Sequence, residues 1–381
     1  MRLFLYTTRI ILNFSYWEYK TWLSNIDFAI IGSGIVGLNC ALHLKKRFPN
    51  AKIVVLERGI LPNGASTKNA GFACFGSISE ILEDLNSHSE EEVLQLIQKR
   101  KQGLQLLREQ LGDSQIDYLG HKGYELFTKN DEKLFNQCVS RLAEINTMLL
   151  PVFGAKVFST SSNQFGFKNI QSQYIVNHFE GQIDTGKMMQ SLLKKVQQAD
   201  ILILNHCEVD TIHESDASVT IETKIGSFNV SRVLIATNGF AAKLGIPDVK
   251  PARAQVLITE PIQDLHIKGT FHLDRGYYYF RNIDNRILLG GGRHLDFKTE
   301  ETTHFGQTKI IQQKLETLLN EVILPNRHVT IAHRWSGIMG VGNQKKPILK
   351  QCSDRVFCGV RQGGMGVAIG SLVGKELAAL V

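Results

Sequence analysis

A continuous apolar run, Phe28-Ala29-Ile30-Ile31, leads directly into the glycine turn Gly32-Ser33-Gly34-Ile35-Val36-Gly37. A second run, Lys52-Ile53-Val54-Val55-Leu56-Glu57, follows after a stretch opened by Ile35-Val36-Gly37-Leu38. Short unbroken apolar runs mark strands covered on both faces, and the stretch between them predicts a helix. Further on, Ser89-Glu90-Glu91-Glu92 forms a capping box ahead of Val93, Ile97, Leu104, Leu107 and Leu111, and Gly112 closes that helix. Leu134, Cys138, Leu142, Ile145 and Leu149 predict a second long helix near residues 131–150, stopping at Pro151. Tyr124-Glu125-Leu126-Phe127 between them reads as a strand. A helix over 184–198 begins at Asp184-Thr185-Gly186-Lys187, and short strands are predicted at 201–204, 207–213, 219–223 and 233–236. The block 255–292 is strand-like, and a helix at 307–323 ends before Pro325.

Strand, helix and strand at the start, with mixed blocks inserted afterwards, predict an α/β protein. A Rossmann-like dinucleotide-binding domain is expected to interleave with an α+β domain built on a mixed antiparallel sheet. The expected division is a lead-in over 1–25, a cofactor domain from 26–86, 178–250 and 334–381, and a substrate domain from 87–177 and 251–333.

Composition narrows the class. At 381 residues, 43% hydrophobic and 21% charged, the chain is that of a globular protein of one or two domains. The net charge of +7 comes from scattered groups such as Lys45-Lys46-Arg47, Lys99-Arg100-Lys101 and Lys345-Lys346, which read as solvated surface, so no nucleic-acid partner is expected. The cysteines (Cys40, Cys74, Cys138, Cys207, Cys352, Cys358) form no CxxC pair or metal-like spacing, so no metal is expected and thiols in a reducing cytoplasm fit best. No apolar run of about 18 residues is present, and no transmembrane segment is expected. Met1-Arg2-Leu3-Phe4-Leu5-Tyr6 opens like a signal peptide, but its apolar run is broken and no small-x-small site follows. Residues 1 to about 13 are expected to be a dispensable extension, and Ser15–Trp22 an amphipathic lead-in.

The first motif now takes on chemical meaning. Glu57 lies twenty residues beyond Gly37, at the end of the second strand. This is the dinucleotide-binding fingerprint in its strand–turn–helix setting. Gly32 permits the tight turn, Gly34 admits a pyrophosphate to the backbone, and Gly37 lets helix and strand pack closely. Orphan N–H groups at Ile35 and Val36 face the phosphates, while Glu57 can accept from ribose hydroxyls.

Four segments together resemble the D-amino-acid oxidase-like family of FAD-dependent oxidoreductases, over nearly everything from Asp27 onward. The first is the fingerprint, ending in Glu57-Arg58. The second is Gly64-Ala65-Ser66-Thr67-Lys68-Asn69-Ala70-Gly71, similar to the family loop that wraps the FAD pyrophosphate and approaches the flavin. The third is Arg232-Val233-Leu234-Ile235-Ala236-Thr237-Asn238-Gly239, a strand ending under the cofactor, with Val209 matching a backbone contact to adenine. The fourth is Phe357-Cys358-Gly359-Val360-Arg361-Gln362-Gly363-Gly364-Met365-Gly366-Val367 with the helix that follows. The resemblance implies FAD as cofactor and oxidation of the C–N bond of a small amine or amino acid. Hydride would pass to flavin, and an imine would then hydrolyse. Either oxygen or a quinone would accept the electrons. No second fingerprint for a nicotinamide cofactor is present.

On the substrate side, strand alternation puts Tyr277, Tyr279 and Arg281 on one face and Tyr278 and Phe280 on the other. The resemblance implies that this strand pair covers the flavin. His333-Arg334-Trp335-Ser336-Gly337-Ile338-Met339-Gly340 resembles the W-x-G-x-R segment of amino-acid oxidases, with Met339 where many relatives place a carboxylate-binding Arg. That departure resembles the amine-oxidising branch represented by gamma-glutamylputrescine oxidase. Tyr279, Arg281, Arg334 and Met339 are therefore the candidate substrate-side residues, with Arg281, Arg334 or Arg361 left to supply a carboxylate clamp from another direction. A nicotinamide-dependent dehydrogenase, or a family member acting on modified tRNA, are the alternatives.

Overall fold

A computed structural model of the protein describes residues 14–381, so the extension expected at residues 1–13 lies outside the described residues. The two initial apolar runs pair in parallel, Ile26–Ile31 beside Ile53–Leu56, with Phe28 opposite Ile53 and Ile31 opposite Leu56. Four more strands extend the sheet, in the order Ile348–Gln351, Val356–Val360, Gly226–Ile235, Ile26–Ile31, Ile53–Leu56, Leu202–Leu204. Ile348–Gln351 runs antiparallel at one edge, and the hairpin Val209–Glu214 with Val219–Thr223 pairs with the longer strand Gly226–Ile235. Alternation sends Phe28 and Ile30 to one core, with Leu38, Leu44, Leu192 and Val373. Ala29 and Ile31 enter the other, with Ile221, Val233 and Val249. Burial on both faces is why these strands read as unbroken apolar runs.

The second sheet has eight strands in the order Ile331–Val341, Lys250–Thr259, Arg286–Gly291, Tyr278–Ile283, Thr270–Leu273, Gly123–Leu126, Gln173–Asn177, Phe158–Ser162. Pairing is antiparallel except between Gly123–Leu126 and Thr270–Leu273. One face packs Tyr278, Phe280, Leu257 and Leu289 onto Ile311, Leu315 and Leu319 of the helix Lys309–Leu318 and its π-helical end Leu319–Ile323. The other face looks toward the first sheet.

Two expectations change. The helix predicted to stop at Pro151 runs from Glu132 to Phe153 and ends at Gly154 in the left-handed conformation. Pro151 falls in the last turn, where its missing N–H loses one hydrogen bond. Burial of Met148, Leu149 and Phe153 offsets that loss, with Phe153 ring-packed on Phe75 and Phe179. The domain boundary expected at 333/334 cuts through Ile331–Val341, which pairs along its length with Lys250–Thr259. This segment belongs to the second sheet, although its glycine-rich second half packs on Asn238 and Gly239 beyond the end of a strand of the first.

Candidate active site

Three glycines decide where the site lies. A Cβ at Gly374 would stand 2.6 Å from the Val36 carbonyl oxygen, and one at Gly370 would stand 2.8 Å from Ile35 Cγ2. A Cβ at Gly103 would come within 2.3 Å of the Ala368 carbonyl oxygen. Without these side chains the helices Ile35–Arg47, Glu90–Leu111 and Gly366–Ala379 approach to backbone contact. The N-termini of Ile35–Arg47 and Gly366–Ala379 then open onto a single cleft of about 850 Å³ between the two sheets. Each brings orphan N–H groups and partial positive charge to that space.

Most of the expected cofactor residues line this cleft: Gly32, Gly34, Ile35, Val36, Glu57, Arg58, Ala65, Ser66, Asn69, Ala70, Val209, Ala236, Gly239, Arg361, Gly363, Gly364, Met365, Gly366 and Val367. Glu57 is buried, and its carboxylate accepts from Ser33 Oγ (2.6 Å), Ser33 N (3.2 Å), Gly59 N (2.9 Å) and Asn63 N (3.3 Å). Ser66 Oγ accepts from Ile35 N at 2.9 Å and so ties the second loop to the helix start. Asn69 knots that loop, donating to Ala65 O and Ser66 O and accepting from Gly71 N and Thr185 Oγ1. Trp335 Nε1 donates to Lys68 O at 2.9 Å and fastens the loop to the substrate sheet. The Arg58 guanidinium lies over the Phe240 ring at 3.6 Å.

Three expected cofactor residues stand behind the cleft wall. Gly37 faces the sheet, where a Cβ would fall 1.9 Å from Gly32 O, so its role is helix–strand contact. Thr67 turns its hydroxyl to Pro62 O and Gly64 O, closing the loop on itself. Gly71, with φ of +73°, abuts Ile183 O and the Arg281 guanidinium.

At the substrate end, Tyr279 and Met339 line the cleft as expected, while Arg281 and Arg334 do not. Arg334 sits on the opposite face of its strand, donating to Gln312 Oε1 (2.5 Å) and Glu316 Oε1 (2.7 Å). Arg281 shares the face of Tyr279 but is buried behind Gly71, and burial lowers its pKa to about 10. Arg361 lines the cleft with its guanidinium spent on the Lys346 carbonyl, at 3.0 and 2.9 Å. The three arginines expected to offer a carboxylate clamp are thus turned away or engaged.

Other residues take their place. Phe72 packs edge-on against His272 and Tyr279, with centroids at 5.4 and 5.5 Å, and Cys74 Sγ touches Met365 Sδ at 3.6 Å. His272 Nε2 meets Glu180 Oε2 at 2.9 Å in a buried pair. Burial opposes the imidazolium, but Glu180, aided by Glu80 and Glu125, holds the His272 pKa up at about 9. Arg100, Glu80, Arg275, Arg293 and Lys345 complete this end. Arg293 was detectable in principle, since Gly291-Gly292-Arg293 ends a strand on two glycines. His272, Arg100 and Glu80 carry no local pattern that marks them.

Do these residues suit a flavin dinucleotide? A Cβ at Gly64, Gly363 or Gly364 would meet nothing within 4 Å, so each leaves backbone open to the cleft. Thr237 Oγ1 is buried beside it with no hydrogen-bond partner. Two helix N-termini, a carboxylate lining the cleft at the end of the second strand and an orphan hydroxyl fit FAD. The profile of the FAD-dependent oxidoreductase family, DAO, matches residues 27–380.

The chain belongs to the DAO family of FAD-dependent oxidoreductases. Among its relatives, a probable oxidoreductase OrdL of Haemophilus influenzae is 21% identical, over 94% of this chain and 83% of that protein. Gamma-glutamylputrescine oxidoreductase of Escherichia coli is 22% identical, over 93% and 83%. Glycine oxidase from Geobacillus kaustophilus has the same fold, with a TM-score of 0.77 at 19% identity, covering 93% of this chain and 94% of that one. The protein is therefore an FAD-dependent oxidoreductase. Among the described residues no helix is long and apolar enough to cross a membrane.

Proposed function

We propose that this DAO-family protein oxidises the C–N bond of a small amine that lacks a carboxylate on the reacting carbon. The observation that supports this most directly is Met339. It lines the cleft, and the resemblance to amino-acid oxidases puts it where many relatives carry a carboxylate-binding Arg, while the guanidinium groups of Arg281, Arg334 and Arg361 are buried elsewhere or already hydrogen-bonded. A carboxylate in a closed apolar chamber needs a cation with two aligned donors, and a thioether offers none.

FAD, when bound, supplies a two-electron acceptor for the hydride on the carbon beside the amine nitrogen, leaving an imine for water to hydrolyse. The side chains supply orientation and a dry wall. Phe72, Tyr279, Met339, Met365 and Cys74 present apolar surface, and burial pushes the Tyr279 phenol up to about 12, so it stays protonated as a hydrogen-bond donor. No second acid or base is required of the protein for hydride loss from a neutral amine.

The test is anaerobic loss of the flavin's visible absorbance on mixing with alkylamines, secondary amines and α-amino acids. Reduction by amines and not by α-amino acids is the expected result. Reduction by α-amino acids at comparable rates would overturn the reading of Met339. Conversion of Met339→Arg should shift the preference toward α-amino acids.

A further inference from the structure

The cations at the substrate end of the cleft are not equivalent. Lys345 is paired with Asp84 at 2.5 Å, His272 with Glu180 at 2.9 Å, and Arg275 with Asp274 at 3.7 Å. Arg100 is buried and donates to Phe75 O at 2.7 Å. Arg293, which lines the cleft, has no hydrogen bond or ion pair to any described residue; the same holds for the side chains of Lys68, which lies over the Phe305 ring, and of Arg281, which is buried behind Gly71. The Arg293 guanidinium lies over the Phe297 ring, 4.9 Å from the centroid, with the Tyr277 phenol also within its reach. The side chain is half-buried in the cleft wall, and no carboxylate is near enough to offset the desolvation that lowers its pKa.

The backbone is shaped to hold it there. Gly291 (φ +116°) and Gly292 (φ +81°) bend the chain out of the strand Arg286–Gly291. Gly292 N donates to Tyr277 O at 2.8 Å, and a Cβ at Gly291 would fall 2.0 Å from that same oxygen. Both conformations favour glycine, so the turn places the backbone of Arg293 next to Tyr277. A guanidinium on the cleft wall with five donors unspent is matched to a planar bidentate anion. Met339 denies a carboxylate the position next to the reacting carbon, so the anion belongs further along the substrate.

We propose that Arg293 receives a carboxylate at the non-reacting end of the substrate, making the substrate class an amine with a distal carboxylate, of the ω-amino acid type. This rests on the amine-oxidising function proposed above. Phe297 holds the guanidinium plane, and the apolar wall of Phe72, Tyr279 and Met339 accommodates the carbon chain between the two polar ends.

The test compares 5-aminopentanoate with pentylamine in anaerobic flavin reduction, in the wild-type holoenzyme and in Arg293→Met and Arg293→Lys. The wild type should prefer the carboxylated amine by about 10- to 100-fold in kcat/KM, the size of a charge-assisted contact. Arg293→Met should remove that preference, lowering kcat/KM for the carboxylated amine at least tenfold more than for pentylamine, and Arg293→Lys should restore part of it. Pentanoate, which has no amine, should perturb the flavin spectrum on binding, with a dissociation constant raised at least tenfold in Arg293→Met. Equal pentanoate binding by wild type and Arg293→Met, no pentanoate binding at all, or equal loss of both amines would overturn the assignment. Should neither amine reduce the flavin while pentanoate binding still depends on Arg293, the carboxylate site stands and the amine-oxidation reading falls.

Discussion

Removing the carboxylate of Glu180 by Glu180→Gln tests whether a buried charge pair stands in the cleft wall. Glu180 accepts from His272 Nε2 (2.9 Å), Thr270 Oγ1 (3.1 Å) and Asn177 Nδ2 (3.3 Å), and it is 1% exposed. Its Oε2 would lie 2.1 Å from a Cβ at Gly123, so the neighbouring strand carries a glycine to make room. The folded His272 pKa of about 9 lies above the ordinary 6.5, so the pair stabilises the fold below pH 6.5 and loses that stability as pH rises through 9. Between pH 7 and 9.5 the linkage amounts to about 2 kcal/mol. Glu125, which burial raises to about 7, is half-titrated at the lower end of this window and is common to both proteins. Urea unfolding of both proteins at pH 7 and 9.5 gives a difference of differences that cancels groups common to the two. We expect the wild type to lose about 2 kcal/mol more than the variant across that window. We also expect Glu180→Gln to be less stable at pH 7 by roughly 3 kcal/mol, because His272 is left without its counter-charge. Parallel pH dependence in the two proteins would show that His272 is neutral in the folded state.

Two further substitutions separate support from chemistry. Gly374→Ala gains about 1 kcal/mol of helix propensity, but its methyl lands on the backbone of the helix Ile35–Arg47, where overpacking costs about 1–3 kcal/mol. The net result should be a lower melting temperature and weaker FAD retention, read by flavin fluorescence release on heating. Unchanged retention would mean that the two helix N-termini act independently of their crossing. Arg334→Met should lower stability by about 1–2 kcal/mol through loss of its bonds to Gln312 and Glu316, with the flavin-reduction rate and its dependence on substrate concentration unchanged. A raised KM for substrate would return Arg334 to the cleft.

What could be read from the chain depended on how far apart the cooperating residues lie. The fingerprint, the capping box at Ser89 and the alternation of Tyr278 and Tyr279 are local, and backbone geometry enforces them wherever the segment packs. Arg334 shows the limit. It is five residues from Met339 in one strand, and an odd separation puts the two side chains on opposite faces. Once Met339 faces the cleft, Arg334 must face the helix behind, so only one of the two could serve the substrate. Arg281 has the right parity with Tyr279, yet two residues along the strand carries it past the cleft and behind Gly71. Face follows from parity, whereas depth along a strand depends on where the partner domain ends. Pro151 misled for a related reason, since whether a helix survives a proline in its last turn depends on how much that turn buries. His272 and Glu180 meet only after elements distant in sequence are assembled, so the pair leaves no spacing to detect. Arg293 lies between these cases. The paired glycines announce a bend, but only the absence of a partner for the guanidinium among the described residues makes that bend the place proposed for the carboxylate.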